Sequence, residues 1–412
     1  MSDDDGERDP LFRYEQPIFA DEELLKITHI PGPERIVGRD QHMQEVANAL
    51  NPAVFGREPT HLFVFGKTGT GKSLTSRSVC QRVVSEAARE GVTVETAFID
   101  CGEQNTEASV IKTIARAIND PNETGFAVPE RGLATADYYA RLWTVLDICT
   151  DVAIILLDEI DMLRDDEVLR KLSRAGENRR ISSASIGIIG ISNKIDFPEQ
   201  LTERVTSSFP HDELVCPPYD ATQLREILEH RRDAFHDDVL ADDVIPLTAA
   251  LAAREHGDAR KAIDILRNAG RIATKDGAEQ VTTEHVQAAK EKTEADRFAE
   301  LIDGAPTQAK LILYALTVLT ERNPQDEFPT KEIYQTYQTV ATAVEVQTLS
   351  ERRVQEILKE QDFLNVIQSE KRGRGRGRGM YATHRLLEDA EVVRRVLQRD
   401  SRLAELSGYS SS

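Results

Sequence analysis

Residues 66–73 read GKTGTGKS and follow directly on the apolar run HLFVF (61–65). Glycine, four residues, then glycine, lysine and a hydroxyl residue is the spacing of a phosphate-binding loop. Gly66, Gly69 and Gly71 let the backbone turn tightly enough for successive N–H groups to face an anion. Thr68, Thr70 and Leu74 belong to the same cradle. Lys72 reaches the β- and γ-phosphates, and Ser73 offers a Mg²⁺ ligand where a helix begins and its dipole favours anions. The helix-period segment SLTSRSVCQRVVSEA completes the strand–loop–helix context. ATP or ADP with Mg²⁺ is the expected cofactor.

A second group of residues supplies what the loop lacks. VAIILLDEID ends an apolar strand in Asp158 and Glu159. Asp158 would stand near the Mg²⁺ shell, and Glu159 where it can polarise an attacking water. Alone, such a pair reads equally well as a solvated turn; a phosphate loop upstream favours the chemical reading. IGISNKID ends another strand at Asn193. That amide is suited to orient the water or touch the γ-phosphate, unless it merely caps the strand.

Parallel-sheet architecture must position these groups. HLFVF, VETAFID (94–100), VAIILLD (152–158) and SIGIIGIS (185–192) are continuous apolar runs separated by helix-period segments. That pattern predicts a parallel sheet covered on both faces. After CPPYD (216–220), the segments ATQLREILEHRRDAF, LTAALAAREH, ARKAIDILRNAGRIATKDG and TEHVQAAKEKTEADRFAELI predict a helical bundle. Past the linker DGAP (303–306) come three further helical candidates, then NVIQS and MYATHRL, two strands of a hairpin flanking KRGRGRGRG. The expected domains are an acidic arm (1–30), a nucleotide-binding base (31–215), a helical lid (216–302) and a C-terminal domain (303–412).

Composition narrows the class. The 412 residues carry 71 Asp and Glu against 51 Lys and Arg, a formal charge of −20. Only 14 of the cations are lysine and 37 are arginine. The plain reading is charge serving solubility; sparse lysine with abundant carboxylates also resembles proteins of salt-loving archaea. No run approaches the 18 or so apolar residues of a membrane span, and the start MSDDDGERDP has no signal-peptide pattern. A cytoplasmic, nucleoid-associated protein is expected. Cys80, Cys101, Cys149 and Cys216 are scattered singly and read as reduced thiols, with neither a zinc site nor a disulfide framework.

Together, phosphate loop, Asp158–Glu159, Asn193 and helical lid resemble the AAA+ ATPase family. The resemblance implies further positions. LTERVTSSF points to Arg204 as an arginine finger, and HGDARKAIDILRNAG to Arg260 as the lid arginine that reaches the nucleotide. Either could instead be a solvated helix-surface arginine. Extra helical segments between residue 100 and the Asp158 strand are similar to the initiator branch of that family. ERIVGRDQHMQEVANAL resembles its lead-in segment, with Val37 near the adenine. The C-terminal three helices plus hairpin look like a winged-helix DNA-binding domain.

The combination is identified as a member of the archaeal replication initiators related to origin recognition complex subunit one and cell division control protein six. In PPYDATQLREILEHRRDAF the resemblance implies Tyr219 and Arg231 at the adenine end, although Tyr219 could be a plain hinge-packing residue. The implied fold is α/β plus all-α: an AAA+ parallel-sheet base, a helical lid and a winged helix. The implied partners are double-stranded origin DNA, the replicative helicase, and itself or a paralogue on DNA.

One short tract opposes the overall charge. Lys371, Arg372, Arg374, Arg376 and Arg378 place five cations in eight residues, interleaved with glycine. In a winged helix this is the wing, where arginine fits a narrow minor groove and glycine permits close approach. A disordered Arg/Gly segment binding nucleic acid without preference, or a solvated loop, is the plainer reading. On the third helix, SERRVQEILKEQDFL, Arg352 and Arg353 are candidate DNA contacts, and Val354, Ile357, Leu358 and Phe363 are expected to form its buried stripe. The function expected is ATP-dependent origin binding, with slow hydrolysis as a switch. The rivals are a regulatory AAA+ switch or a clamp-loader-like ATPase whose winged helix contacts protein.

Overall fold

The computed structural model of the chain describes residues 16–27, 29–302, 304–364, 366–373, 380–404 and 406. It divides into two compact units, 1–267 with 277–282, and 268–276 with 283–412.

In the first unit, strands β1 (His61–Phe65), β2 (Val94–Asp100), β3 (Val152–Asp158), β4 (Ser185–Ser192) and β5 (His211–Val215) form one sheet in the order β2-β3-β4-β1-β5. Every pairing is parallel. Successive side chains on a strand face opposite ways, and here both faces are covered. Ile155 and Leu157 share one core cluster with Phe63 and Phe65, while Ile154 and Leu156 share the other with Leu62 and Val64. This explains why the inner strands β1, β3 and β4 read as unbroken apolar runs, whereas β2, at one edge, is buried at Val94, Ala97 and Ile99 with Glu95 exposed. The fifth is an edge strand, and of His211–Val215 only Leu214 is buried.

The helices of eight or more residues in this unit are α1 (Asp40–Val54), α2 (Lys72–Arg89), α3 (Glu107–Ile118), α4 (Thr135–Cys149), α5 (Ala221–Glu229) and α6 (Val244–Arg254). Helix α7 (Ala259–Asp276) begins here, and the boundary between the units falls within it. Thus the compact units are cut differently from the domains expected from the sequence. The described part of the N-terminal arm is anchored. Ile18 and Leu25 are fully buried, Phe19 packs on Phe235 at 5.1 Å, and Ala20 and Asp21 donate backbone hydrogen bonds to Ala234 O.

In the second unit, α8 (Thr283–Ile302), α9 (Thr307–Arg322), α10 (Thr330–Ala343), α11 (Glu351–Phe363) and α12 (Ala390–Leu397) accompany a small antiparallel sheet. Its order is β6 (Phe328–Pro329), β8 (Met380–Leu386), β7 (Ile367–Gly373). The three helices and hairpin expected from the sequence are present, joined by the two-residue β6 and by α12. At the base of the hairpin, buried His384 holds Thr330 Oγ1 at 2.9 Å and Ser369 Oγ at 2.8 Å. Ser369 N–H in turn donates to Asp362 Oδ1 on α11 at 2.7 Å, so the wing root is tied to the preceding helix.

One expectation is corrected. Val354, Ile357 and Leu358 are buried, but Phe363 is 86% exposed, and Gln361 takes its place in the stripe. At about 100° per residue, position 361 returns to the face of 354, whereas 363 falls on the opposite side. All four cysteines are free and buried. No helix among the described residues is long and apolar enough to cross a membrane.

Each unit holds one deeply buried neutral histidine: burial pushes His61 and His384 down to about 4. An unfolded chain binds these protons near pH 6.5, so the stability they contribute is full above that value and is lost as pH falls towards 4. Urea unfolding at pH 7 and pH 5 is expected to show the lower stability at pH 5, by about 1.4 kcal/mol per pH unit for each histidine.

Candidate nucleotide site and nucleic-acid interface

The phosphate loop connects β1 to α2 at the carboxyl ends of the strands. Gly66, Gly69 and Gly71 have φ of 151°, 72° and 80°, values that side chains disfavour. Space forbids a side chain as well. A Cβ on Gly69 would lie 1.7 Å from Asp258 Oδ1, and one on Gly71 2.4 Å from the Tyr219 hydroxyl.

Lys72 is buried, and its ammonium donates to Gly66 O at 2.7 Å, Lys67 O at 2.8 Å and Asn193 Oδ1 at 2.8 Å. Burial lowers its pKa, countered chiefly by the nearby Asp158. Asn193 thus meets the loop lysine directly, one residue past the end of β4.

Asp158 ends β3, and Glu159 follows in a left-handed conformation with φ of 52°. Asp100 ends β2 in register with Asp158. Burial raises the Glu159 pKa, reinforced by the carboxylates of Asp100, Asp158 and Asp161, and Arg260 acts in the opposite direction. The donor set is therefore carboxylate, hydroxyl and amide oxygen beside a polyanion cradle, which suits a hard cation shared with phosphate. Among the described residues no cluster of His, Cys, Asp and Glu could hold a metal unaided.

These groups line one cavity of about 460 Å³. It gathers Val37, Thr68 to Leu74, Asp158, Glu159, Asn193, Tyr219, Arg231 and Arg260. Arg204 does not line it. It is exposed on the short helix Glu203–Thr206, outside the cavity.

Sequence reading missed several lining groups. Ile27, Ile30, Ile36, Ile227 and Ile263 bring apolar surface to the cavity, enough to receive a base. Ile27, Ile30 and Ile36 come from the irregular stretch before α1, and Ile227 and Ile263 singly from α5 and α7, so no regular period marks them. Asp100 had a faint signal, a carboxylate ending an apolar strand. The segment before α1 and residues 230–233 are drawn together by Arg35, which donates to His230 O at 3.1 Å and pairs with Asp233 at 2.6 Å. Arg231 is buried and donates to Leu24 O.

In the second unit, Arg352 and Arg353 are exposed on α11 but engaged. Arg353 pairs with Glu356 at 2.8 Å and Arg352 with the same carboxylate at 3.4 Å. Lys371 and Arg372 lie on β7, opposite Ala382 and Tyr381. Arg374, Arg376 and Arg378 lie outside the described residues.

Three family models match the chain in order: an AAA domain over residues 56–193, a Cdc6 AAA+ ATPase-type lid domain over 225–291, and a CDC6 C-terminal winged helix domain over 300–396. The chain is 52% identical over 397 residues to ORC1-type DNA replication protein 4 of Halobacterium salinarum, covering 96% of each chain. It is 38% identical over 407 residues to the ORC1-type DNA replication protein of Thermococcus kodakarensis, covering 97% of this chain and 96% of that one. Among solved structures it is similar to the Aeropyrum pernix ORC1 protein in complex with DNA, with 36% identity and a TM-score of 0.73 over 95% of this chain and 100% of that one.

Replacing Lys72 by Ala removes the buried ammonium that bonds Gly66 O, Lys67 O and Asn193 at the phosphate loop. ADP affinity is expected to fall about 10- to 100-fold, the effect of removing a charge-assisted hydrogen bond to phosphate, measured by isothermal titration. Unchanged affinity would place the phosphates elsewhere.

Proposed function

The chain belongs to the ORC1/Cdc6 family of AAA+ replication initiators, and we propose that it binds double-stranded origin DNA under the control of bound ATP and helps to bring in the replicative helicase. The observation that carries this reading is the convergence of every nucleotide-site candidate except Arg204 on one cavity, in a chain that also carries a winged helix with a basic hairpin. The domains we assign are the arm to residue 30, base 31–215, lid 216–302 and winged helix 303–412. We place its action at the nucleoid, in the cytoplasm.

Bound ATP supplies the transferable phosphoryl group, and Mg²⁺ neutralises charge on it. Lys72 and the loop N–H groups would hold the β- and γ-phosphates, and Ser73 and Asp158 the cation. Glu159 would accept a proton from the water that attacks the γ-phosphorus as the bond to the ADP oxygen breaks, and Asn193, which bonds Lys72, would orient that water. Val37, Tyr219 and Arg231 would enclose the adenine end, and Arg260 would reach the phosphates. Arg204 would complete the site of a neighbouring copy or paralogue. With its charge opposed by nearby carboxylates and burial, Glu159 is a weaker acid than a free glutamate, so hydrolysis should decline on acidification from a higher pH than usual. Steady-state turnover measured across pH should show this limb, and Glu159→Gln should abolish turnover while retaining ATP binding. A Glu159→Gln variant that hydrolyses ATP normally would exclude this base.

On DNA, the wing cations Lys371, Arg372, Arg374, Arg376 and Arg378 are proposed to supply most of the phosphate attraction, because α11 is nearly self-neutralised. Replacing Arg374, Arg376 and Arg378 together by Ala should leave ATP binding intact. The same change should flatten the dependence of log affinity on log salt by about 0.9 for each phosphate that is no longer neutralised. Glu356→Gln should act oppositely, freeing Arg352 and Arg353 and tightening DNA binding about two- to fivefold. Fluorescence anisotropy over a salt series measures both. Unchanged affinity and slope in the triple variant would favour the second reading, in which the winged helix meets protein; exposed Phe363 at the end of α11 suits that role.

A further inference from the structure

Arg39 is the largest side chain that is fully buried, with 1% exposure. Its hydrogen-bond partners are three backbone carbonyls. Nε donates to Thr70 O at 3.0 Å, Nη1 to Gly38 O at 3.0 Å and Nη2 to Pro217 O at 2.5 Å. The guanidinium carbon lies 3.8 Å from the centre of the Tyr219 ring. A buried cation is costly unless its donors are met, and these are met by backbone from the lead-in to α1, the phosphate loop and the junction before α5.

We infer that Arg39 is a positioning residue of the nucleotide site, which sets the Thr70–Gly71 peptide so that the Gly71 N–H faces the β-phosphate and ties that peptide to the junction before the lid. This rests on the nucleotide reading above. A trans peptide is planar, with its C=O and N–H pointing in opposite directions, and the described residues contain no cis peptide. Holding Thr70 O towards Arg39 therefore turns the next N–H the other way, and Gly71 lines the cavity. Gly71 precedes the first residue of α2, where N–H groups have no partner within the helix.

The neighbouring carbonyl is held in the same manner. Gly69 O accepts from Ala259 N–H, the first residue of α7, at 3.1 Å. Tyr219 N–H donates to Gly257 O at 3.2 Å, which joins the junction to the turn before α7. Arg39 thus closes a ring of contacts running from phosphate loop to junction, to lid turn, and back to the loop. Lysine cannot replace it. One ammonium on a flexible stem lacks the planar fork that meets three carbonyls at once and stacks on an aromatic face.

The test compares ADP with AMP, which differ by the β-phosphate, in competition against a fluorescent ADP analogue on the full-length protein. Arg39→Lys and Arg39→Gln are expected to weaken ADP about tenfold or more while changing AMP less than about twofold, collapsing the preference. Equal losses for both nucleotides would mean a general folding role and overturn the inference, as would an unchanged preference. If neither variant folds, hydrogen exchange on the wild-type protein decides. ADP but not AMP should protect residues 66–73 together with 36–40 and 216–220, and protection confined to 66–73 would sink the idea. A wild-type protein with no preference for ADP over AMP would instead undo the nucleotide reading itself.

Discussion

A loop that turns its N–H groups inward to meet phosphate must turn carbonyls outward, and those carbonyls need donors. Much of the first unit follows from how this chain meets that requirement. Gly66 O and Lys67 O accept from the loop's own lysine, Gly69 O from the backbone of α7, and Thr70 O from Arg39. Each donor comes from a different direction, so the loop is braced by itself, by the lid and by the segment before α1. Crowding follows from the same geometry. Asp258 and Tyr219 approach so near that only glycine is accommodated at 69 and 71.

Charge is distributed to suit the same centre. Four carboxylates, Asp100, Asp158, Glu159 and Asp161, gather near the strand ends, and Lys72, Arg260 and Lys194 stand against them. Lys194 pairs with Asp161 at 3.1 Å, and Ser192 donates to the other oxygen of the same carboxylate at 2.8 Å. Asp161 is thus engaged by both its oxygens, while Asp158 and Ser73 line the cavity together. Glu159, pressed by its neighbours, keeps more basicity than an isolated glutamate, which is what a proton acceptor requires.

The sequence revealed most where burial is continuous. Three inner strands were legible to the residue because both their faces are covered, β2 because enough of its edge is still buried, and the phosphate loop because its chemistry dictates residue types at fixed spacing. The edge strand HDELV was not: it opens on three polar residues and has only one buried side chain. Arg39 sits unmarked within the lead-in motif, since nothing local shows that carbonyls from residues 70 and 217 converge on it. The apolar end of the cavity was hidden for the same reason, since the stretch that holds Ile27, Ile30 and Ile36 is joined there by Ile227 and Ile263, far along the chain. Phe363 is misplaced when hydrophobic residues are counted without following the helical angle to the end of α11.

The acidic, arginine-rich composition is halophilic in kind, in keeping with a relative from Halobacterium salinarum. At about 1 M salt the screening length is near 3 Å, so charges act through direct touch rather than across space. Under such screening the pairs of Arg352 and Arg353 with Glu356 lose most of their hold, because both arginines are exposed and the carboxylate is only partly covered. On the DNA-binding reading proposed above, Arg352 and Arg353 would then be freer to meet phosphate at the salt in which a halophilic protein works. On the same reading, the cations of the wing would be weakened least, since a fitted interface excludes the screening ions. Concentrating positive charge in one short segment, with repulsive carboxylates elsewhere, would then confine DNA to that segment.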